Sequence, residues 1–230
     1  MGREINSYSK ELKGKTKIAL GYPDIYEIGM SSLGLRILYG KLNEKQDCVC
    51  ERFFAPSLDM ETVLKEKNVP LFTLESQIPV KNFDLVGFSM SSELNYTNLL
   101  NLLELSGIPL FSKDRKDNFP LVIVGGSCSF NPAPLVPFVD AFVIGEGEDA
   151  MSEIADVLKG WQRDGKKNIL KSLSSISGVY VPSLSRAEVK RRVTDDFENS
   201  FFPVKWLVPF TQVVHDRISM EIMRGCGQGC

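Results

Sequence analysis

The chain has 230 residues, 43% of them hydrophobic and 24% charged, with a formal net charge of −2. That length is ample for a real core and suits one globular domain, with or without an appendage. The near-neutral charge lends no support to electrostatic binding of nucleic acid or of an anionic membrane, and no apolar run approaches a membrane span. The start, Met1-Gly2-Arg3-Glu4-Ile5-Asn6, has no signal-peptide core and lacks the Ser or Thr that a myristoylation signal needs. Five cysteines, odd in number and irregularly spaced, argue against a disulfide framework and for a reducing cytoplasm.

Residues 1–15 are polar and lysine-rich and read as a frayed or helical lead-in. Residues 17–22 (K-I-A-L-G-Y) read as a short buried strand, followed by a loop over 23–29. Leu33, Ile37, Leu38 and Leu42 then recur at helical spacing to about Glu44. A strand is expected over 48–55 and a helix over 59–67, with Asp59 as its N-cap. Residues 71–74 read as a short strand. Residues 83–89 (F-D-L-V-G-F-S) read as a stronger one, nearly continuous in its apolar character, as parallel strands covered on both faces are. The leucine-rich stretch 93–106 predicts a well-buried helix with Gly107 as its stop. Residues 120–124 and 140–144 are two further strands, ending in Gly125-Gly126 and in Gly145-Glu146-Gly147-Glu148. The helix after the second places Met151, Ile154, Ala155 and Leu158 on one face.

The repeated unit of strand, small-residue loop and helix calls for an open, mostly parallel α/β sheet of the Rossmann-like or flavodoxin-like kind, with helices on both faces. In such sheets a ligand lies beyond the carboxyl ends of the strands, where every glycine- or serine-rich loop named here falls. The character changes after about residue 160. Residues 178–182 read as a strand, and 188–193 alternate weakly and are candidates to pair with it. The expected division is a first domain over 1–161, an extended connection with short strands over 162–216, and the start of a second domain over 217–230.

Five constellations carry chemical interest, each beside a plainer reading. Asp24-x-Tyr26-x-x-Gly29 follows the first strand and reads equally as an ordinary loop. Ser89-Met90-Ser91-Ser92 ends the strong strand, where Ser91 or Ser92 suits helix capping. Gly125-Gly126-Ser127 is a tight turn or a place where a flat ligand meets the backbone. In Gly145-Glu146-Gly147-Glu148 the acids suit a helix N-terminus. Finally, Cys226 and Cys230 stand at C-x3-C spacing among glycines, which lets two thiolates face one soft metal or iron–sulfur site but supplies only half its ligands. Cys48 and Cys50 sit on a strand, and their geometry reads as poor for joint metal binding. Cys128 suits a buried filler, and His215 beside Asp216 suits a structural role at the domain junction. No Rossmann G-x-G-x-x-G or Walker A pattern occurs.

The segment Arg224-Gly225-Cys226-Gly227-Gln228-Gly229-Cys230 resembles the start of the C-x3-C-x2-C cluster loop of radical S-adenosylmethionine (SAM) enzymes. The lead-in over 213–221 is similar to one subgroup, in which a cobalamin (B12)-binding-like domain precedes the radical SAM barrel. The ordered loops of the first domain (D-x-x-x-x-G, S-x-S, G-G, G-E-G-E) resemble that subgroup too. The resemblance covers about residues 17–150 and 213–230. It implies a [4Fe–4S] cluster on three cysteines, among them Cys226 and Cys230, with SAM on the fourth iron. It also implies a cobalamin cradled by Asp24, Tyr26, Gly29, Ser89, Ser91, Gly125, Gly126, Ser127, Gly145, Glu146 and Gly147. The family often carries a histidine, the lower cobalt ligand, where this chain has Tyr26, so no imidazole is expected from that loop. The third cluster cysteine would fall three residues beyond Cys230. The chain thus reads as an amino-terminal fragment, expected not to hold a stable cluster and to be inactive by itself.

On this reading the partner is the radical SAM barrel of the same protein, and the substrate is open. A second reading is a degenerate domain that keeps the fold, binds no cobalamin, and serves in substrate binding or docking. A third is a zinc or redox protein that uses Cys226 and Cys230 by dimerising.

Overall fold

The computed structural model describes residues 4–184, 188–225 and 228. In chain order its regular elements are β1 (Glu4–Ile5), β2 (Thr16–Tyr22), α1 (Tyr26–Gly29), α2 (Leu33–Glu44), β3 (Cys48–Phe54), α3 (Leu58–Lys67), β4 (Leu85–Ser89), α4 (Tyr96–Leu105), β5 (Leu121–Gly125), β6 (Ala141–Val143), α5 (Gly147–Leu158), α6 (Trp161–Leu173), β7 (Val179–Tyr180) and β8 (Val208–Pro209). Short 3-10 turns lie between several of them.

Six strands form one sheet in the order β3-β2-β4-β5-β6-β7. The first five run parallel and β7 pairs antiparallel with β6. This is the mostly parallel open α/β sheet that the sequence predicts. Alternation along β2 divides the core between the two faces. Ile18, Leu20 and Tyr22 pack with residues of α2, α5 and α6 on one face, and Ala19 packs with residues of α3 and α4 on the other. Because α2 and α4 leave β2 and β4 toward opposite faces, a crevice opens between the carboxyl ends of these neighbouring strands. Among the described residues no helix is long and apolar enough to cross a membrane.

Several local expectations are corrected. The lead-in is not simply frayed, because β1 pairs antiparallel with β8. The N-cap of α3 is Ser57, with Asp59 in the first turn, where the helix dipole also favours an acid. Residues 71–74 form no strand beyond a single bridge between Phe72 and Pro79. They instead cover the outer edge of β3, where the Leu74 N–H donates to the Arg52 carbonyl at 2.8 Å. The expected connection from residue 162 begins as α6, whose Ile169, Leu170 and Leu173 enter the main core, and continues into β7. The first unit therefore carries its sheet and core past residue 161. Residues 188–193 do not pair with β7; Arg192 bridges Gly145 in parallel instead. Residues 217–223 form no strand, and Ile218, Met220 and Ile222 are exposed.

Candidate functional site

The carboxyl ends of four parallel strands meet at a cavity of about 450 Å³. Leu20 of β2, Gly87 and Ser89 of β4, Ile123 and Gly125 of β5 and Val143 of β6 form its floor, and α2 and α5 wall it with Leu35, Leu38 and Met151. The loops Gly126-Ser127 and Gly145-Glu146 form the rim. The lining is rich in glycine. A Cβ built at Gly34 would meet nothing within 4 Å, and one at Gly147 would come no closer than 3.7 Å to Leu38. At these positions a ligand has room to approach the backbone.

Gly126 and Gly145 are required by the chain itself. Their φ values are +99° and +104°, and a Cβ would come 2.4 Å from the Met90 carbonyl oxygen and 2.1 Å from that of Arg192. Positive φ and a neighbouring backbone demand glycine there with or without a ligand.

The three serines at the end of β4 and just after it divide their roles. Ser89 lines the cavity. Ser92 caps the following turn by accepting the Leu94 N–H at 3.3 Å. Ser91 Oγ lies 2.6 Å from the Tyr22 hydroxyl and ties the ends of β4 and β2 together. Pro23 strengthens that seam, since its carbonyl accepts from the Asn95 and Asn98 side-chain amides, each at 3.0 Å.

Asp24, Tyr26 and Gly29 stand apart from the cavity. Asp24 Oδ1 accepts the N–H of Ile25 at 2.8 Å and shapes its own turn. A Cβ on Gly29 would lie 2.3 Å from the Phe54 ring, so the ring dictates glycine. Tyr26 packs edge-on against Phe54, with ring centroids 5.3 Å apart, and donates its hydroxyl to Glu4 at 2.5 Å. Burial, and then the bond to Glu4, hold the phenol well above its ordinary pKa. Glu4 is paired in turn with the fully buried Arg52, which also pairs with Glu75 at 2.8 Å. Sequence reasoning missed this network because its members lie far apart along the chain. His215 does return to this region, where its backbone N–H donates to Ser31 Oγ at 2.9 Å, but its side chain is exposed and lines no part of the cavity.

The G-E-G-E loop has a partner that the sequence did not reveal. Arg224 reaches Glu146 at 2.9 Å, Glu148 in a short contact, and Glu221 at 2.9 Å, with the Phe197 ring centroid 5.3 Å from its guanidinium. The hydrogen bond to Glu221 leads the effects that outweigh burial and push the Arg224 pKa above its ordinary value. Residues 221, 223, 224 and 225 thereby cover one side of the cavity. Arg191 joins the lining, its guanidinium 5.8 Å from the Phe130 ring centroid.

Cys226 and Cys230 lie outside the described residues. Among the described residues no three His, Cys, Asp or Glu side chains gather in a group that could hold a metal ion. Cys48, Cys50 and Cys128 are buried free thiols. Burial pushes Cys48 up to about 12 and Cys50 well above its ordinary value. At pH 8 a thiol of that pKa carries roughly a thousandfold less thiolate than a free cysteine, so iodoacetamide should leave Cys48 unmodified in the folded chain and label it in urea. Mass spectrometry of the alkylated peptides checks this, and ready labelling of Cys48 in the folded chain would contradict its place in the core.

Fold and cavity together define an open parallel α/β domain with a glycine-walled ligand cleft at its strand ends. The chain belongs to the family described as radical SAM proteins, N-terminal, which matches residues 34–182. An uncharacterized protein of Methanocaldococcus jannaschii is 23% identical over 218 residues, which is 93% of this chain and 39% of that protein. The chain thus spans about two-fifths of that relative's length. Among solved structures, the radical SAM methyltransferase TsrM of Kitasatospora setae, determined with tryptophan and a SAM analogue, aligns with 73% of this chain and 28% of its own at 17% identity and a TM-score of 0.46.

Proposed function

We propose that this chain is the cobalamin-binding-like amino-terminal domain of a radical SAM iron–sulfur enzyme, possessing a corrinoid cradle at the carboxyl ends of β2, β4, β5 and β6. The observation that carries this reading is the meeting of Ser89, Gly125, Gly126, Ser127, Gly145, Glu146 and Gly147 around one cavity. The first domain extends on this reading to about residue 182, and the chain beyond it leads to a barrel of the same protein.

The residues present fit the flat, amphipathic part of a corrinoid. Gly34 and Gly147 leave room against the backbone, and Leu20, Leu35, Leu38, Ile123, Val143 and Met151 offer an apolar bed. Ser89 on the floor and Ser127 at the rim add polar side chains to the lining, and Arg191 adds a cation for a phosphate or carboxylate. They do not fit an imidazole-ligated cobalt, because no histidine lines the cavity and Tyr26 is committed to Glu4. A cavity of 450 Å³ lies in the range of about 300–1,000 Å³ that suits drug-sized ligands. A corrinoid with its nucleotide tail is larger, so its entry requires the covering residues 221–225 to yield while the glycine wall stays. Bound there, a cobalamin would supply a transferable methyl group. Cys226 and Cys230 would contribute two thiolates to a [4Fe–4S] cluster, which with SAM supplies one-electron chemistry.

Equilibrium titration of the 230-residue chain with hydroxocobalamin, followed in the visible spectrum, tests the proposal. The expected result is saturable binding with a spectrum that lacks an imidazole lower ligand. A folded chain that binds nothing at high micromolar ligand would instead support the docking-module reading.

A further inference from the structure

We propose that Arg224 is a positioning residue that docks the cysteine-bearing segment onto the Glu146 and Glu148 carboxylates, above the cavity at the strand ends. Arg224 precedes Cys226 by two residues. That the two cysteines ligate a cluster rests on the function proposed above; the docking itself does not.

The geometry is that of a receptor built for a guanidinium. The Arg224 Nη1 donates to Glu146 Oε2 at 2.9 Å, Nη2 donates to Glu148 and to Glu221 Oε2, the latter at 2.9 Å, and Nε donates to Glu221 Oε1 at 3.0 Å. The contact with Glu221 is the two-pronged one that a planar guanidinium makes and an ammonium does not. The acceptors are themselves held. Glu146 Oε2 also accepts the Thr194 N–H at 2.6 Å, and the Glu146 N–H donates to the Arg192 carbonyl at 3.1 Å. Glu146 is therefore fixed from two sides before Arg224 arrives. The side chains of Arg224, Glu146 and Glu148 are 16%, 14% and 17% exposed, so water screens these pairs less than it does an open surface pair.

Two facts distinguish this arrangement from a chance surface contact. The acids are the N-cap and a first-turn residue of α5, 78 and 76 residues earlier in the chain, so they tie separate parts of it together. The lead-in is held further back by buried Val213 and by the Val214 N–H, which donates to the Glu27 carbonyl at 3.2 Å. Ile218, Met220 and Ile222 on either side of Glu221 are exposed, so among the described residues Arg224 is the side chain that fixes this last stretch. Arg224 thus sets where the segment sits relative to the cavity, on acids that also line it.

Limited trypsin digestion of the whole chain reads the docking directly, because Arg224 must leave its carboxylates to enter the protease. Arg217, whose side chain is exposed, is the internal comparator. In the wild-type chain, cleavage after Arg224 should lag cleavage after Arg217. In the Glu146→Gln, Glu148→Gln double variant the ratio of the two rates should rise by about tenfold or more, since cleavage follows the population of the open form. Thermal unfolding of the variant should stay unchanged. Arg224→Lys leaves the domain intact and trypsin-sensitive but loses the fork, and should raise the ratio as well. Equal ratios in wild type and either folded variant would overturn the proposal. A chain that protects Arg224 but binds no hydroxocobalamin would sink the cofactor reading and leave the docking standing.

Discussion

Replacing Arg52 with leucine should destabilise the fold by about 3–5 kcal/mol, the usual cost of removing one partner from a buried ion pair. Arg52 has no exposed side-chain surface. Its guanidinium pairs with Glu4 at 2.5 Å and Glu75 at 2.8 Å and lies 4.5 Å from the Tyr39 ring centroid. Leucine leaves two carboxylates in the interior without a cation. Burial already raises the Glu75 carboxyl, with Arg52 opposing. A carboxyl raised in the folded state favours folding at low pH and loses that contribution as pH climbs through its folded value. The deficit of the variant should therefore be smaller near pH 5 than near pH 8. Urea unfolding at the two values measures it. Adding Glu4→Gln and Glu75→Gln to the variant should recover much of the loss, because a wholly neutral site carries no stranded charge. A loss under 1 kcal/mol at pH 8 would mean that the network is open to water.

Asp140→Ala should be comparably damaging, at about 3–5 kcal/mol. Asp140 Oδ2 accepts from Arg115 Nη2 at 3.0 Å and from the Val122 N–H at 2.8 Å, and Oδ1 faces Lys166 at 2.8 Å. One carboxylate thus joins the start of β6 to β5, to the segment before β5 and to α6. Alanine leaves a buried guanidinium on the Pro109, Leu110 and Phe138 carbonyls alone. Asparagine keeps an acceptor for Val122 and should cost less than alanine. Folded domains stand only about 5–15 kcal/mol above their unfolded ensembles, so either substitution removes a large share. Urea midpoints of the two variants, compared at equal slope, decide the ranking.

Most of the fold was legible because its strands are short apolar runs and its helices carry local periodicity. The helix over 33–44 and the strand over 17–22 match α2 and β2 within a residue. The 71–74 segment misled because a β-like composition also suits a loop that covers an edge. Helix α6 was missed because most of its residues are polar, although Ile169, Leu170 and Leu173 stand at helical spacing; Gly165, at φ +71°, interrupts its regularity. The glycine loops of the cavity could be read from sequence, since a strand end followed by glycines is a local signal. The direction in which Tyr26 points could not, because Glu4 and Phe54 determine it. The same holds for Arg224, whose acids lie 76 and 78 residues away.

The clasp between β1 and β8 has a mechanical consequence. It is a ladder only two residues long, and it brings Ile5 beside Val208. Tension applied beyond residue 215 meets first the buried Val213 and the Val214 N–H bond to the Glu27 carbonyl, and then this ladder. β1 also carries Glu4, whose carboxylate neutralises Arg52 in the interior. A pull that strips β1 from β8 therefore tugs on a buried ion pair. The short ladder acts as a fuse in series with a buried rivet: it yields at the surface, and the pull is stopped at Glu4.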